Sequence, residues 1–487
     1  YYAVGEFGFL FSPEYKAIVE HPQFTKKINL TALADYIRFQ RVLGDKSFFE
    51  GVKRLRLGST LKFDLNTKKL DVQQYWSFAD ISDQDPSFEE AVNTVSHLLQ
   101  DAVKRQMTPE YRMGVYMSGG VDSRTLATIG KRHKANLHTI TYGDPATKDY
   151  SIANRIARKI GTNHHNFPLL DGQWIAKHAS DHLDLTEGVH IWLHAHGIST
   201  ISEMRKHIDI QINGFAGDHL LNVYARRGML LTQMLNLDPT GMISYMFDHM
   251  SQRSSWPCVS EGEALIVFAE PLREEMRDRA AESLREELAQ FTHLPNVKAI
   301  DAFKFTNHTM GLTYNFNSFY RSGMEVRLPY LDYNLFNYIQ GLPPDIRYKD
   351  GNLLCLRMLE KTIPEVTHIP NANDDLPPTK HPIKSFIGEA LLRSNRLARR
   401  LFPDQIKEPP TLSIDYEELL RRDLKPWAEN ILFSNEIKDR GMFNPEYIAS
   451  IWKRHQTSEV HTIGKFAPII SYEMLLRRFM DEDRGGI

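Results

Sequence analysis

The chain has 487 residues, is 42% hydrophobic and 25% charged, and carries a formal net charge of −2. These are the values of an ordinary globular protein; they exclude large-scale disorder, and so even a charge balance argues against a non-specific nucleic-acid binder. Cys258 and Cys355 are the only cysteines, which excludes a disulfide framework and a Cys-based zinc site, and no run of about 18 apolar residues marks a membrane span. A cytoplasmic protein without nucleic-acid or membrane partners is expected. The chain begins without Met, and Tyr1 to Glu6 lack a signal-peptide pattern, so it is expected to be a piece of a longer protein.

In chain order, residues 1 to about 75 read as short strands at Tyr1–Val4, Gly8–Phe11 and Thr60–Phe63, a helix over Thr31–Arg41, and a final aromatic pair Tyr75-Trp76. Asp80 to Pro86 is an acidic linker with Ser and Pro, followed by a helix with apolar Val92, Val95, Leu98, Leu99 and Val103. The expected domains are therefore 1–78 and 87–487. From 87 onward strands and helices alternate: strand 113–117, helix 123–133, strand 137–142, helix 149–160, a short strand near 164–169, helix 194–207 and strand 208–213. That order predicts an α/β fold with a doubly wound parallel sheet, with ligands at the carboxyl ends of the strands. Residues 225 to 320 and those past 360 read as helical, the latter with Pro-rich interruptions from Asn371 to Pro382.

The first strand ends in Ser118-Gly119-Gly120-Val121-Asp122-Ser123-Arg124 and runs into a helix. Backbone N–H groups at such a turn attract anions; Gly119 and Gly120 let the chain approach a phosphate, and Ser118 and Ser123 add hydroxyl donors. Asp122 would repel a polyphosphate unless a divalent cation lay between them, which predicts Mg²⁺. The turn lacks the lysine of a Walker A loop and the spacing of a dinucleotide fold. It reads as the PP-loop, S-G-G-x-D-S, of enzymes that split ATP between its α- and β-phosphates. Thr141 and Gly143, at the end of the second strand, are placed to offer backbone groups to adenine, and Asp149 reads as an acid favouring the first turn of the next helix. Gly214-Phe215-Ala216-Gly217-Asp218 is a second glycine-containing turn, giving Asp218 as a second Mg²⁺ carboxylate. Within Glu325-Val326-Arg327-Leu328-Pro329-Tyr330-Leu331-Asp332, Arg327 pairs structurally with Asp332 or Glu325 faces the active site. His190, His194 and His196 suit packing first, an acceptor pocket second and zinc last.

With these motifs in this order, the chain resembles the asparagine synthetase family, and Phe11 to Ala17, His21-Pro22, Phe48 to Leu55 and Tyr75-Trp76 are similar to the end of that family's glutaminase domain. The resemblance implies a PP-loop ATP pyrophosphatase domain with a partial N-terminal α+β glutaminase-like domain and a helical C-terminal region. It implies ATP at Ser118, Gly119, Gly120, Asp122, Ser123, Thr141, Gly143 and Gly214, with Mg²⁺ on Asp122 and Asp218 and catalytic roles for Glu325, Arg327 and Lys349. A carboxylate would be adenylated, pyrophosphate released and AMP displaced by an amine from glutamine or ammonia; a homodimer is left open. The family's glutaminase half uses an N-terminal cysteine that neither Cys258 nor Cys355 can be, so this chain is expected to lack glutaminase activity.

Three departures accompany the resemblance. Phe215 stands where the family has an acid and cannot act as a general base. A family lysine would fall near Leu353, where Lys349, Arg357 and Lys361 are the substitutes at hand. Arg124 replaces a common second serine. Alternatives are therefore an amide ligase with another acceptor, as in β-lactam synthetases or lasso-peptide cyclases, and a non-catalytic ATP-binding homologue.

Overall fold

The computed structural model describes residues 1–221, 234–251, 256–350, 352–373, 375–379, 414–457 and 461–481. Two antiparallel hairpins lie in the N-terminal region, β1 (Tyr2–Gly5) with β2 (Gly8–Phe11) and β3 (Ser59–Phe63) with β4 (Leu70–Gln74). Helix Leu30–Phe39, capped by the Asn29 side chain, packs its buried face on helices Arg279–Ala289 and Ile463–Leu476. Tyr15, Tyr36, Phe39, Phe48 and Phe49 share one apolar cluster with Leu284, Phe466, Tyr472 and Phe479. The N-terminal region thus completes a core with the C-terminal helices.

The central sheet consists of β5 (Met113–Tyr116), β6 (His138–Gly143), β7 (Asn163–Pro168), β8 (Ile210–Ile212) and β9 (Glu325–Arg327), all parallel, in the order β7-β6-β5-β8-β9. Its two faces are covered as a doubly wound sheet requires. Met113, Val115, Ile210 and Ile212 pack on one side with Val95, Leu99 and Val103 of helix Phe88–Gln106 and Leu126 of helix Val121–His133. On the other, Ile140 and Val326 pack with Ile201, Met204, Phe319 and Met324. The strand order reverses between β5 and β8, which puts the crevice for a ligand at their carboxyl ends.

The helices begin where local chemistry says they should. Ser87 and Glu90 form a capping box at the start of Phe88–Gln106, with Glu89 and Glu90 in its first turn and Lys104 and Arg105 in its last. Thr147 caps Lys148–Ile160, which ends at Gly161 with φ 71°. The helix expected over 194–207 is corrected: Trp192–Gly197 is a 3₁₀ turn and the α-helix spans only Ile198–Met204, with Gly197, a poor helix former, at the junction. The portions of the expected helical stretches at 225–233, 252–255 and 380–413 lie outside the described residues. Among the described residues, no helix is long and apolar enough to cross a membrane.

Candidate active site

The turn after β5 is held in shape by its own side chains. The Ser118 N–H donates to Ser123 Oγ at 3.0 Å, the Gly120 N–H donates to Ser118 Oγ at 3.2 Å, and the Gly119 N–H donates to Asp149 Oδ1 at 2.6 Å. Thr141 contributes through packing: its hydroxyl donates to Met117 O at 2.7 Å, tying β6 to the start of the turn. Gly143 ends β6 at φ 121°, a conformation that favours glycine.

Arg124 is fully buried and fastens the turn from beneath. Its guanidinium donates to Gly119 O at 2.8 Å, Gly120 O at 3.1 Å, Ile369 O at 2.6 Å and Pro370 O at 2.9 Å. The segment that follows closes the other side, with Ala372 N–H donating to Gly119 O at 3.4 Å and Lys148 paired with Asp375 at 2.8 Å. A Cβ at residue 119 would lie 2.9 Å from Ala372 Cβ and 3.1 Å from Asp149 Cα, so glycine is required there by close approach.

The turn after β8 packs directly on this one. A Cβ at 214 would meet the Ser123 N at 3.2 Å, and one at 217 would meet Asp122 Oδ1 at 2.6 Å. Ala216 adopts φ 67°, a left-handed backbone that is uncommon without glycine and concentrates at functional turns. Asp122 Oδ1 is buried with no hydrogen-bond partner, and Tyr330 OH donates to Asp122 O at 3.2 Å. Burial, then the Asp218 carboxylate, push the Asp122 carboxyl well above its ordinary range, with Arg124 opposing. Asp218 is exposed at the start of helix Gly217–Leu221, and its carboxyl is also raised, chiefly by desolvation. Two carboxylates within electrostatic reach of each other, one with an orphaned oxygen, form a donor set suited to a hard divalent cation.

Lys304, at the end of helix Asn296–Lys304, stands within electrostatic reach of Asp301 and Asp218; burial lowers its ammonium and both acids oppose that. No spacing in the sequence singles it out, nor Lys148 and Asp149 as partners of the turn. Phe215 packs edge-on against Phe316, with centroids 5.5 Å apart, and its N–H donates to Asn213 Oδ1 at 2.9 Å.

Other sequence candidates are taken up elsewhere. Glu325 and Arg327 pair with each other at 2.6 Å, and Arg327 also donates to Gln106 O and Thr108 Oγ1. Glu325 is exposed at the amino end of β9, away from the turn, and Asp332 pairs with Arg105 at 2.7 Å and caps helix Tyr333–Gly341, which corrects the expected Arg327–Asp332 pair. Lys349 sits over the Phe88 ring at 4.7 Å, Arg357 pairs with Glu360 at 3.1 Å, and Lys361 donates to Asn93. His196 stacks on Tyr142, His190 bonds to Gly311 O at 2.7 Å, and the rings of His190 and His194 lie 5.2 Å apart. Among the described residues, no group of three or more His, Cys, Asp or Glu side chains is arranged to hold a metal ion, so a cation on Asp122 and Asp218 would draw its remaining ligands from phosphate and water.

A five-stranded parallel sheet with helices on both faces and a glycine turn at its switch point defines an α/β protein of the doubly wound class. The asparagine synthase family model matches residues 94–477 and the glutamine amidotransferase domain model residues 1–76. The chain belongs to the asparagine synthase family. It is 30% identical over 177 residues to glutamine-hydrolyzing asparagine synthetase 3 of Bacillus subtilis, covering 35% of this chain and 26% of that protein. A putative asparagine synthetase 2 of Methanocaldococcus jannaschii is 26% identical over 226 residues, 44% of this chain and 43% of that one. The asparagine synthetase of Bos taurus is 24% identical over 295 residues, 58% of this chain and 42% of that one. The matches thus span less than half the length of each relative. Among solved structures, an NMN synthetase from Francisella tularensis shares 14% identity and a TM-score of 0.22, covering 43% of this chain and 96% of that one, a likeness too slight to support an argument.

Proposed function

We propose that the chain is an ATP-dependent, amide-forming ligase. In this reading a carboxylate oxygen of the acceptor attacks the α-phosphorus of ATP, the α–β anhydride bond breaks, and pyrophosphate leaves. An amine then attacks the acyl carbon of the mixed anhydride, loses a proton and expels AMP. The observation that carries the reading is the packing of two turns on each other, the Gly119-Gly120 cradle after β5 against Gly214 and Gly217, with Asp122 between them.

Within it, the N–H groups and hydroxyls of Ser118, Gly119, Gly120 and Ser123 receive phosphate oxygens, displacing the bonds they make now. Asp122 and Asp218 would hold Mg²⁺, which neutralises charge on the polyphosphate when bound. Lys304 and Lys148 are cations near this region, where a family-type lysine near Leu353 is missing.

Family membership supports aspartate as acceptor and ammonia or glutamine-derived nitrogen as donor. Phe215, packed on Phe316 in place of an acid, favours a second reading within the same chemistry, an acceptor other than aspartate. Incubating the chain with Mg-ATP, ammonium and either aspartate or a panel of other carboxylates, and identifying the amide by mass spectrometry, separates the two. Asparagine as product supports the first, another amide supports the second, and no amide from any carboxylate contradicts both.

A further inference from the structure

Where the N-terminal region meets the rest of the chain, Arg41 and Arg54 face His190, His194, Asn307 and His308 across a cavity of about 190 Å³. Among its described lining residues there is no carboxylate. Arg54 donates to Gly44 O at 2.6 Å. Arg41 donates through Nε to Phe39 O at 2.9 Å, while its Nη1 is buried with no hydrogen-bond partner.

A buried guanidinium N–H without an acceptor is costly, and the cost is relieved by an anion. The histidines reinforce the point. Burial lowers His190 to about 4 and takes His194 and His308 well below the ordinary imidazole value, and the Arg41 charge lowers all three further. A wall with two guanidiniums and three neutral imidazoles offers many donors and has no negative charge of its own.

We propose that this cavity is a binding site for a small anion bearing a carboxylate or phosphate group, held by Arg41 with His194 and His308 beside it. Its volume equals that of about six water molecules at ~30 Å³ each, and is below the ~300 Å³ at which drug-sized pockets begin. The occupant is therefore a small acid, not a nucleotide, and the site is separate from the turn at Ser118 to Ser123.

Isothermal titration of the full chain with succinate and, separately, with inorganic phosphate, at constant ionic strength set by chloride, tests this and tells carboxylate from phosphate. The expected result is saturable one-to-one binding of at least one probe, weakened about tenfold or more in both Arg41→Gln and His308→Gln and kept in Asp122→Ala, which disables only the nucleotide turn. Thermal stabilisation of each variant by the same probe gives a second readout; where Arg41→Gln does not fold, His308→Gln decides. Absence of saturable binding by both probes, affinity unchanged in the histidine variant, or binding lost in Asp122→Ala would overturn the proposal.

Discussion

The N–H of Gly119 donates to Oδ1 of Asp149 at 2.6 Å, so a carboxylate from the helix after β6 occupies a donor of the turn after β5. An incoming phosphate must displace that carboxylate and tolerate its charge. Asp149→Asn keeps the shape and removes the charge. The expected outcome is ATP binding tightened by about 3- to 10-fold, read by titration calorimetry. Equal or weaker binding would show that the contact helps to form the cradle instead.

Asp122 sits where burial opposes its ionisation. Its carboxyl is raised above the ordinary 3.8 by burial and by Asp218, so the folded state holds the proton more tightly than the unfolded one. Stability from this group is therefore full below about pH 3.8 and is lost as pH rises through the folded value. At neutral pH, Asp122→Asn is expected to raise the melting temperature of the nucleotide-free protein while abolishing Mg-ATP binding. A lower melting temperature would contradict the assigned electrostatics.

Arg124 binds four carbonyls with one planar fork, which a lysine cannot reproduce. Arg124→Lys is expected to cost about 2–4 kcal/mol in urea unfolding, since several charge-assisted bonds lose their donor in a fully buried place. A loss under about 0.5 kcal/mol, the range of a surface change, would mean the clamp contributes little.

Gly217 is required by the carboxylate beside it. Gly217→Ala places a Cβ 2.6 Å from Asp122 Oδ1, so nucleotide binding should fall below detection in an assay where the wild type saturates. Gly262→Ala, where a Cβ meets nothing within 4 Å, should leave binding unchanged. Binding retained in the first variant would separate the two turns functionally.

Glu187 links the N-terminal region to helix Gln173–Thr186, accepting the Lys16 N–H at 2.6 Å while its own carbonyl accepts from Tyr15 OH. Burial pushes its carboxyl from 4.5 up to about 7. Its stabilising contribution is present below 4.5 and lost as pH rises to about 7, on the order of 3 kcal/mol. Glu187→Gln should flatten the stability profile between those limits, as measured by denaturation at several pH values; an unchanged slope would assign that slope to other groups.

The sheet was legible because β5, β6 and β8 are short, β-branched or apolar segments, each followed closely by a glycine-containing turn. What pairs across the fold was not. Glu325, Arg327 and Asp332 are close in sequence, yet Arg105 takes Asp332 and Thr108 shares Arg327, because helix Phe88–Gln106 ends beside them. Arg124 looked like a departure from a family pattern, and only the arrival of Ile369 and Pro370 gives its guanidinium a task. Such partners come from segments hundreds of residues away, and no local periodicity reports them. The sequence break at Asp80 to Pro86 is plain, whereas the apolar cluster that the N-terminal region shares with Tyr472 and Phe479 has no local signal.

The most direct test of the account is the stoichiometry of ATP cleavage by this chain with Mg²⁺, ammonium and a carboxylate, compared in wild type and Asp122→Ala. The account predicts AMP and pyrophosphate in equal amounts, dependent on the carboxylate and absent in the variant. ADP and phosphate as products, or carboxylate-dependent pyrophosphate release that survives Asp122→Ala, would contradict it.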